Sequence, residues 1–176
     1  MISRPAEHEY APYFARYIAL VPETDILSVL EHQIADIESA AAAVAAEQEQ
    51  FRYGPDKWSV RQVFGHMTDA ERVFGYRSFC ISRGEQAPLP AFDENAYVEK
   101  SAYHGCALSE LVRELVLMRQ ANLVFLSRLT GEEWMRTGTA SSKTISVRAI
   151  AYVMAGHIRH HMNMLSTRYG IVVVPG

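Results

Sequence analysis

Residues 146–169, SVRAIAYVMAGHIRHHMNMLSTRY, place two histidines inside the apolar stripe of a helix. At about 100° per residue, Ile150, Val153, Met154, His161 and Met164 all fall within about 60° of His157. Arg148 and Arg159 fall on the opposite side, so the stripe reads as the buried face and the arginines as the face turned to water. His160 lies at the edge of the stripe.

One buried imidazole is ordinary when its nitrogens find partners. Two stacked one turn apart leave up to four nitrogens to satisfy, and each unpaired buried polar group costs roughly 1–3 kcal/mol. Two resolutions are open at this point. A metal ion can take a lone pair from both rings, because an i, i+4 pair on a helix points both at one site. Alternatively, the two are core histidines hydrogen-bonded to waters and carbonyls. A third ligand elsewhere in the chain would decide between them.

The rest of the chain reads as helices of similar length. Residues 1–23 carry aromatic residues at helical spacing, Tyr10, Tyr13, Phe14 and Tyr17, interrupted by Pro12 and closed by Pro22, and read as a strap laid across the main body. A first long helix begins at Thr24 or Asp25 and runs to about Gln48, with Leu27, Leu30, Ile34, Ile37, Ala41 and Val44 forming a bundle seam. Gly54 and Pro55 mark the connection that follows. The second helix starts at Ser59, where Ser59 with Gln62 makes a capping box and Trp58 with Val63 a hydrophobic staple. It runs to about Arg83, with Gly84 as its stop. His66 lies beside its apolar stripe and is the candidate third ligand.

Residues 84–107 form a long connection, with a helical turn expected near 93–99, of a length that is often functional. The third helix covers about 108–129, with Leu111, Leu115, Met118, Phe125 and Leu129 on one stripe and Asn122 inside it. Asn122 either faces the site or hydrogen-bonds a neighbouring helix. Residues 130–144 read as a polar connection. The fourth helix runs from Ser146 to Gly170, and an apolar tail, 171–176, packs back or pairs across a subunit boundary.

A chain of 176 residues, 49% hydrophobic and 21% charged, is one globular domain with a real core. The domain divides into the strap (1–23), the bundle (24–170) and the tail. Net charge is −3 and there is no basic run, which excludes a nucleic-acid footprint. No apolar stretch approaches the ~18–20 residues that span a bilayer, and the N-terminus lacks the apolar region of a secretory signal. The expected location is cytoplasmic, with Cys80 and Cys106 free. Four helices of about 22–25 residues make an all-α four-helix bundle the economical fold. His66 lies about two turns into its helix and His157 about three turns into its own. If those helices share a bundle end and run side by side, the two rows meet within about one turn.

The segments KWSVRQVFGHMTDAERVFGYR and SVRAIAYVMAGHIRHHMNML resemble the DinB-like superfamily, metal-binding four-helix bundles that include YfiT-type proteins and thiol S-transferases. The resemblance extends over nearly the whole chain, including the strap and the loop PLPAFDENAY. It is most specific at the WSV start followed by a histidine and at the H-x-x-H-H cluster. It implies a three-histidine metal site at His66, His157 and His161, with His160 an additional histidine outside the ligand set. Zinc, nickel and iron are all compatible with three imidazoles.

Three protein ligands leave an open position, the arrangement of a catalytic site. That position can serve hydrolysis through an acidified water, or thiol transfer with bacillithiol, mycothiol or glutathione as co-substrate. The implied function is a metal-dependent thiol S-transferase or hydrolase acting on a small electrophile, in a homodimer. The rival is a non-catalytic, metal-binding stress-response or dimeric binding protein. Asp69 and Gln62, one turn from His66 on either side, are placed to orient an imidazole or hold a water, and a solvated helix face is the competing role for both. Glu71, Arg72 and Arg77 read as surface charges. No serine or cysteine stands in a nucleophile motif.

Overall fold

The computed structural model describes residues 2–172, so most of the tail lies outside the described residues. Among the described residues, seven α-helices and one hairpin follow in order. They are α1 (Pro12–Ile18), α2 (Ile26–Ala42), α3 (Val60–Ser82), α4 (Glu94–Lys100), α5 (Leu108–Leu126), α6 (Gly131–Met135), β1 (Thr137–Ala140), β2 (Lys143–Ser146) and α7 (Val147–Tyr169). Among the described residues no helix is long and apolar enough to cross a membrane.

The four long helices form the bundle. α3 packs against α5 and α7, and α2 packs against the same two, so the consecutive α2 and α3 occupy opposite corners. The crossings of the diagonal therefore fall on the links before α3 and before α7, while the long 83–107 loop joins the neighbours α3 and α5. α1 lies across α7 as the strap.

Local chemistry explains the ends of the helices that carry the histidines. Ser59 Oγ accepts the Gln62 N–H and Gln62 Oε1 accepts the Ser59 N–H, closing the capping box at the start of α3. Ser146 Oγ accepts the Ala149 N–H at the start of α7. Gly170 ends α7 with φ 70°, a left-handed conformation that suits glycine. α2 stops earlier than the periodicity predicts. The Val44 N–H bonds the Ala41 carbonyl in a tightened last turn, and Val44 packs into the core under the link. Residues 46–48 then form a separate 3-10 turn.

Two features depart from the sequence reading. Residues 130–146, read as a polar connection up to 144, contain α6 and the hairpin β1–β2, paired antiparallel from Thr137↔Ser146 to Ala140↔Lys143. Bridges from Tyr10 to Ile145 and from Leu89 to Ala140 cover both its edges. The arginines expected to face water instead hold the N-terminal segment to α7. Arg148 pairs with the buried Glu9, which also accepts from Ser146 Oγ at 2.9 Å. Arg159 pairs with Glu23 at 2.7 Å and donates to the Leu20 carbonyl at 2.8 Å.

The apolar core divides into two clusters. One joins the first half of α7, the second half of α3, α1 and the hairpin. The other joins the second half of α7, the first half of α3 and the first half of α5. A polar layer separates them at mid-height. Arg119, fully buried, forms a fork with Glu71 through bonds of 2.8 and 2.9 Å and donates to Gln33 Oε1 at 2.9 Å. Gln33 in turn donates to the Ala155 carbonyl at 2.8 Å, and Asn122 donates to Glu71 Oε1 at 2.9 Å. All four bundle helices are tied at this level, where the histidines also lie.

Candidate metal centre

His66 on α3 and His157 and His161 on α7 meet in this layer, each 5% exposed. They meet because α3 and α7 run antiparallel. Tyr169, the last residue of α7, donates through its hydroxyl to the carbonyl of Trp58, just before α3 begins. His66 is the seventh residue of α3 and His161 the ninth from the end of α7, so the rows match when one helix is counted from its start and the other from its end. Counting both from their starts is therefore the wrong alignment, although it selects the same residues.

The His157 Nε2 lies 3.0 Å from Nε2 of His66 and 3.1 Å from Nε2 of His161. One candidate ligand atom from each of the three lies within 4.8 Å of the others. As a purely internal hydrogen-bond network this cluster is under-satisfied. His157 Nε2 carries either one proton or one lone pair, yet faces two partners. His161 Nδ1 is also buried with no partner among the described residues. A cation taking a lone pair from each Nε2 fits this donor set. Imidazole nitrogens about 2.0–2.1 Å from a tetrahedral metal stand roughly 3.3 Å apart, close to the separations around His157.

Burial keeps the imidazoles neutral and ready to donate. It lowers the His66 pKa to about 4, with a smaller push from His160. Burial, followed by the neighbouring imidazoles, holds His157 and His161 well below the usual histidine range. Aromatic side chains wall the cluster. The Trp58 ring lies 4.6 Å from that of His66, and Phe74 and Tyr17 each lie 5.6 Å from His157. His160 is exposed, edge-on to Tyr17, and outside the convergent set.

Two cavities border the cluster. One of about 300 Å³ is lined by His66, His161 and Trp58 together with Arg16, Asp56 and Lys57. The other, about 270 Å³, is lined by His66, His157 and Phe74 together with Arg77, Phe92 and Lys143. Tyr17 and Glu94 line both.

The residues singled out to support the site divide. Gln62 is engaged in the capping box at the start of α3. Asp69 faces the Tyr103 hydroxyl, and burial raises its pKa more than that bond lowers it. Neither hydrogen-bonds an imidazole among the described residues. Asn122 bonds a neighbouring helix and does not line either cavity. Glu71 and Arg77 are buried, at 2% and 4% exposure, and are not surface charges. Arg119 went unread. Its spacing of four from Leu115 and seven to Leu126 places it inside the stripe, the one signal that marks it.

A solved structure, YfiT from Bacillus subtilis, described as "a probable metal-dependent hydrolase with an unusual four-helix bundle topology", matches with a TM-score of 0.75 and 21% identity. The match covers 97% of this chain and 95% of that one, and it shows the shared fold. No curated protein matches the chain. The model of the DinB superfamily matches residues 30–165, which is most of the chain and includes all three convergent histidines, and the protein belongs to that superfamily.

Proposed function

We propose that this protein is a metal-dependent enzyme, a hydrolase or thiol S-transferase for a small electrophile, centred on His66, His157 and His161. The observation that carries this reading is the convergence of three neutral Nε2 atoms at a buried point bordered by two cavities. A divalent ion held by three imidazoles keeps a coordination position for a ligand from solvent or substrate, and acidifies a water or thiol held there.

The chain contributes the rest. Its imidazoles need lose no proton at neutral pH to act as ligands. Trp58, Phe74 and Tyr17 restrict water around them, and the cavities admit a small molecule. The antiparallel α3–α7 pair and the Arg119 layer hold the ligands rigidly. Zinc, nickel or iron meets the ligand set, and a cytoplasmic thiol is the co-substrate in the transferase form of the reaction. The fold shared with YfiT, described as "a probable metal-dependent hydrolase", supports this reading.

Elemental analysis of untagged protein tests it. Near one transition metal per chain is expected in the wild type and a small fraction of that in His157→Ala. Activity with water or thiol acceptors should disappear in His66→Ala while the helical fold persists. Full metal occupancy with every coordination position filled and no turnover would replace this reading with that of a non-catalytic metal-binding bundle.

A further inference from the structure

The cavity on the hairpin side of the cluster carries a feature that the histidines do not explain. Arg77 lines it at 4% exposure, and its two hydrogen bonds both leave from Nη2, to the Pro90 carbonyl at 2.8 Å and Ser141 Oγ at 2.7 Å. Among the described residues, Nε and Nη1 have no partner and no carboxylate pairs with the guanidinium. A charge taken out of water without a counter-ion is costly. Arg119, fully buried, has Glu71; Arg77, with its Cζ 5.8 Å from the centre of the Phe92 ring, has an open cavity.

Two further observations point the same way. Lys143 lines the same cavity, its Nζ 5.0 Å from the centre of the Tyr13 ring. With the exposed Glu94 as the one carboxylate, the lining is net positive. The other cavity sets Arg16 and Lys57 against Asp56 and Glu94 and has no such excess. The backbone is also strained where it meets Arg77. Ser141 and Ser142 form the two-residue hairpin turn with φ of 53° and 58°, a conformation that favours Asn-Gly. Side chains are disfavoured there, and such strain gathers at ligand sites.

We propose that this cavity is the substrate site and takes a small molecule bearing a carboxylate or phosphate. The anionic group sits on Arg77 and Lys143, an apolar body lies against Phe74, Phe92 and Val153, and the reacting atom faces His157. The assignment of substrate rests on the metal-dependent reading above; the anion site itself rests on Arg77. Guanidinium forks suit either oxyanion.

Calorimetric titration of the zinc-loaded protein with phenylacetate, phenyl phosphate and the neutral phenylacetamide tests the proposal. At least one anion should bind tenfold or more tightly than the amide, and the tighter of the two identifies the oxyanion. Arg77→Gln should remove that preference while amide affinity and metal content stay unchanged, and the rim variant Lys143→Gln should weaken anion binding about threefold. If Arg77→Gln does not fold, Lys143→Gln decides. Equal binding of anion and amide, no binding of any probe, or unchanged anion affinity in the folded variants overturns the proposal. Anion binding that depends on Arg77 in protein that takes up no metal would overturn the metal-dependent reading and leave the anion site standing.

Discussion

A Cβ on Gly156 would stand 2.1 Å from the carbonyl oxygen of Tyr17. The strap and α7 therefore touch backbone to backbone, one residue before the central histidine. Glycine inside a helix is about 1 kcal/mol worse than alanine, so Gly156→Ala stabilises any helix that has room for it. Here the obstacle is backbone, which cannot swing aside as a side chain can. The strap must lift instead, taking the Tyr17 ring from His157 and His160.

Gly156→Ala should accordingly destabilise the protein by about 1–3 kcal/mol, the usual range for overpacking. Urea unfolding followed by circular dichroism reads this as a lower midpoint. A higher midpoint would mean that α1 does not lie against α7 at this point.

The Arg119–Glu71 fork makes a second sharp case. Both side chains are buried, and Arg119→Met leaves the Glu71 carboxylate with Asn122 as its one side-chain donor among the described residues. Breaking one partner of such a pair costs about 3–5 kcal/mol. Replacing both, Glu71→Gln with Arg119→Met, should recover part of that loss, because the uncompensated charge is gone. A double-mutant cycle in urea measures the coupling. Additive losses would show that the two side chains do not share a buried bond.

These residues also show what was legible in the sequence. The histidines were readable because two imidazoles inside the apolar stripe of α7 contradict their surroundings and a third lies beside the stripe of α3, and the capping box at Ser59 and the staple around it located the start of α3. Glu71, Arg77 and Arg119 were not, because a charged residue at a helical position reads as the solvent face unless its surroundings are known, here a neighbouring helix for Glu71 and Arg119 and the loop and hairpin turn for Arg77. The hairpin was hidden by four-residue strands without alternating apolar positions and by a Ser-Ser turn where Asn-Gly would be the signal. The antiparallel pairing of α3 with α7 depends on which corners the helices occupy, and periodicity within one helix carries no record of that.

His160 separates ligation from mere proximity. It neighbours His161, with ring centroids 5.1 Å apart, but is exposed and outside the convergent set. His160→Ala should keep near-full metal content, while His66→Ala, His157→Ala and His161→Ala should each lose most of it. Competition with a chromogenic chelator ranks the four variants. Equal losses across all four would mean that charge or fold, and not the Nε2 convergence, determines binding.

Acid should destabilise the metal-stripped protein through the same buried imidazoles. Burial lowers the His66 pKa to about 4, whereas in the unfolded chain it returns to about 6.5. Below about 6.5 the unfolded state takes up a proton that the folded state refuses, so unfolding is favoured progressively as pH falls. The stability is fully present above that value, declines as pH drops toward 4, and levels off for this residue once the folded state is protonated too. At pH 5, His66 alone costs about 2 kcal/mol relative to neutral pH. His157 and His161, depressed in the same direction, add to the slope. Urea midpoints of chelator-treated protein should therefore fall between pH 7.5 and 5, and His66→Gln, which removes one titrating group, should show a shallower fall. A midpoint independent of pH over this range would mean that the imidazoles take up protons as readily in the folded protein as in the unfolded chain, and so are not held neutral by burial between α3 and α7.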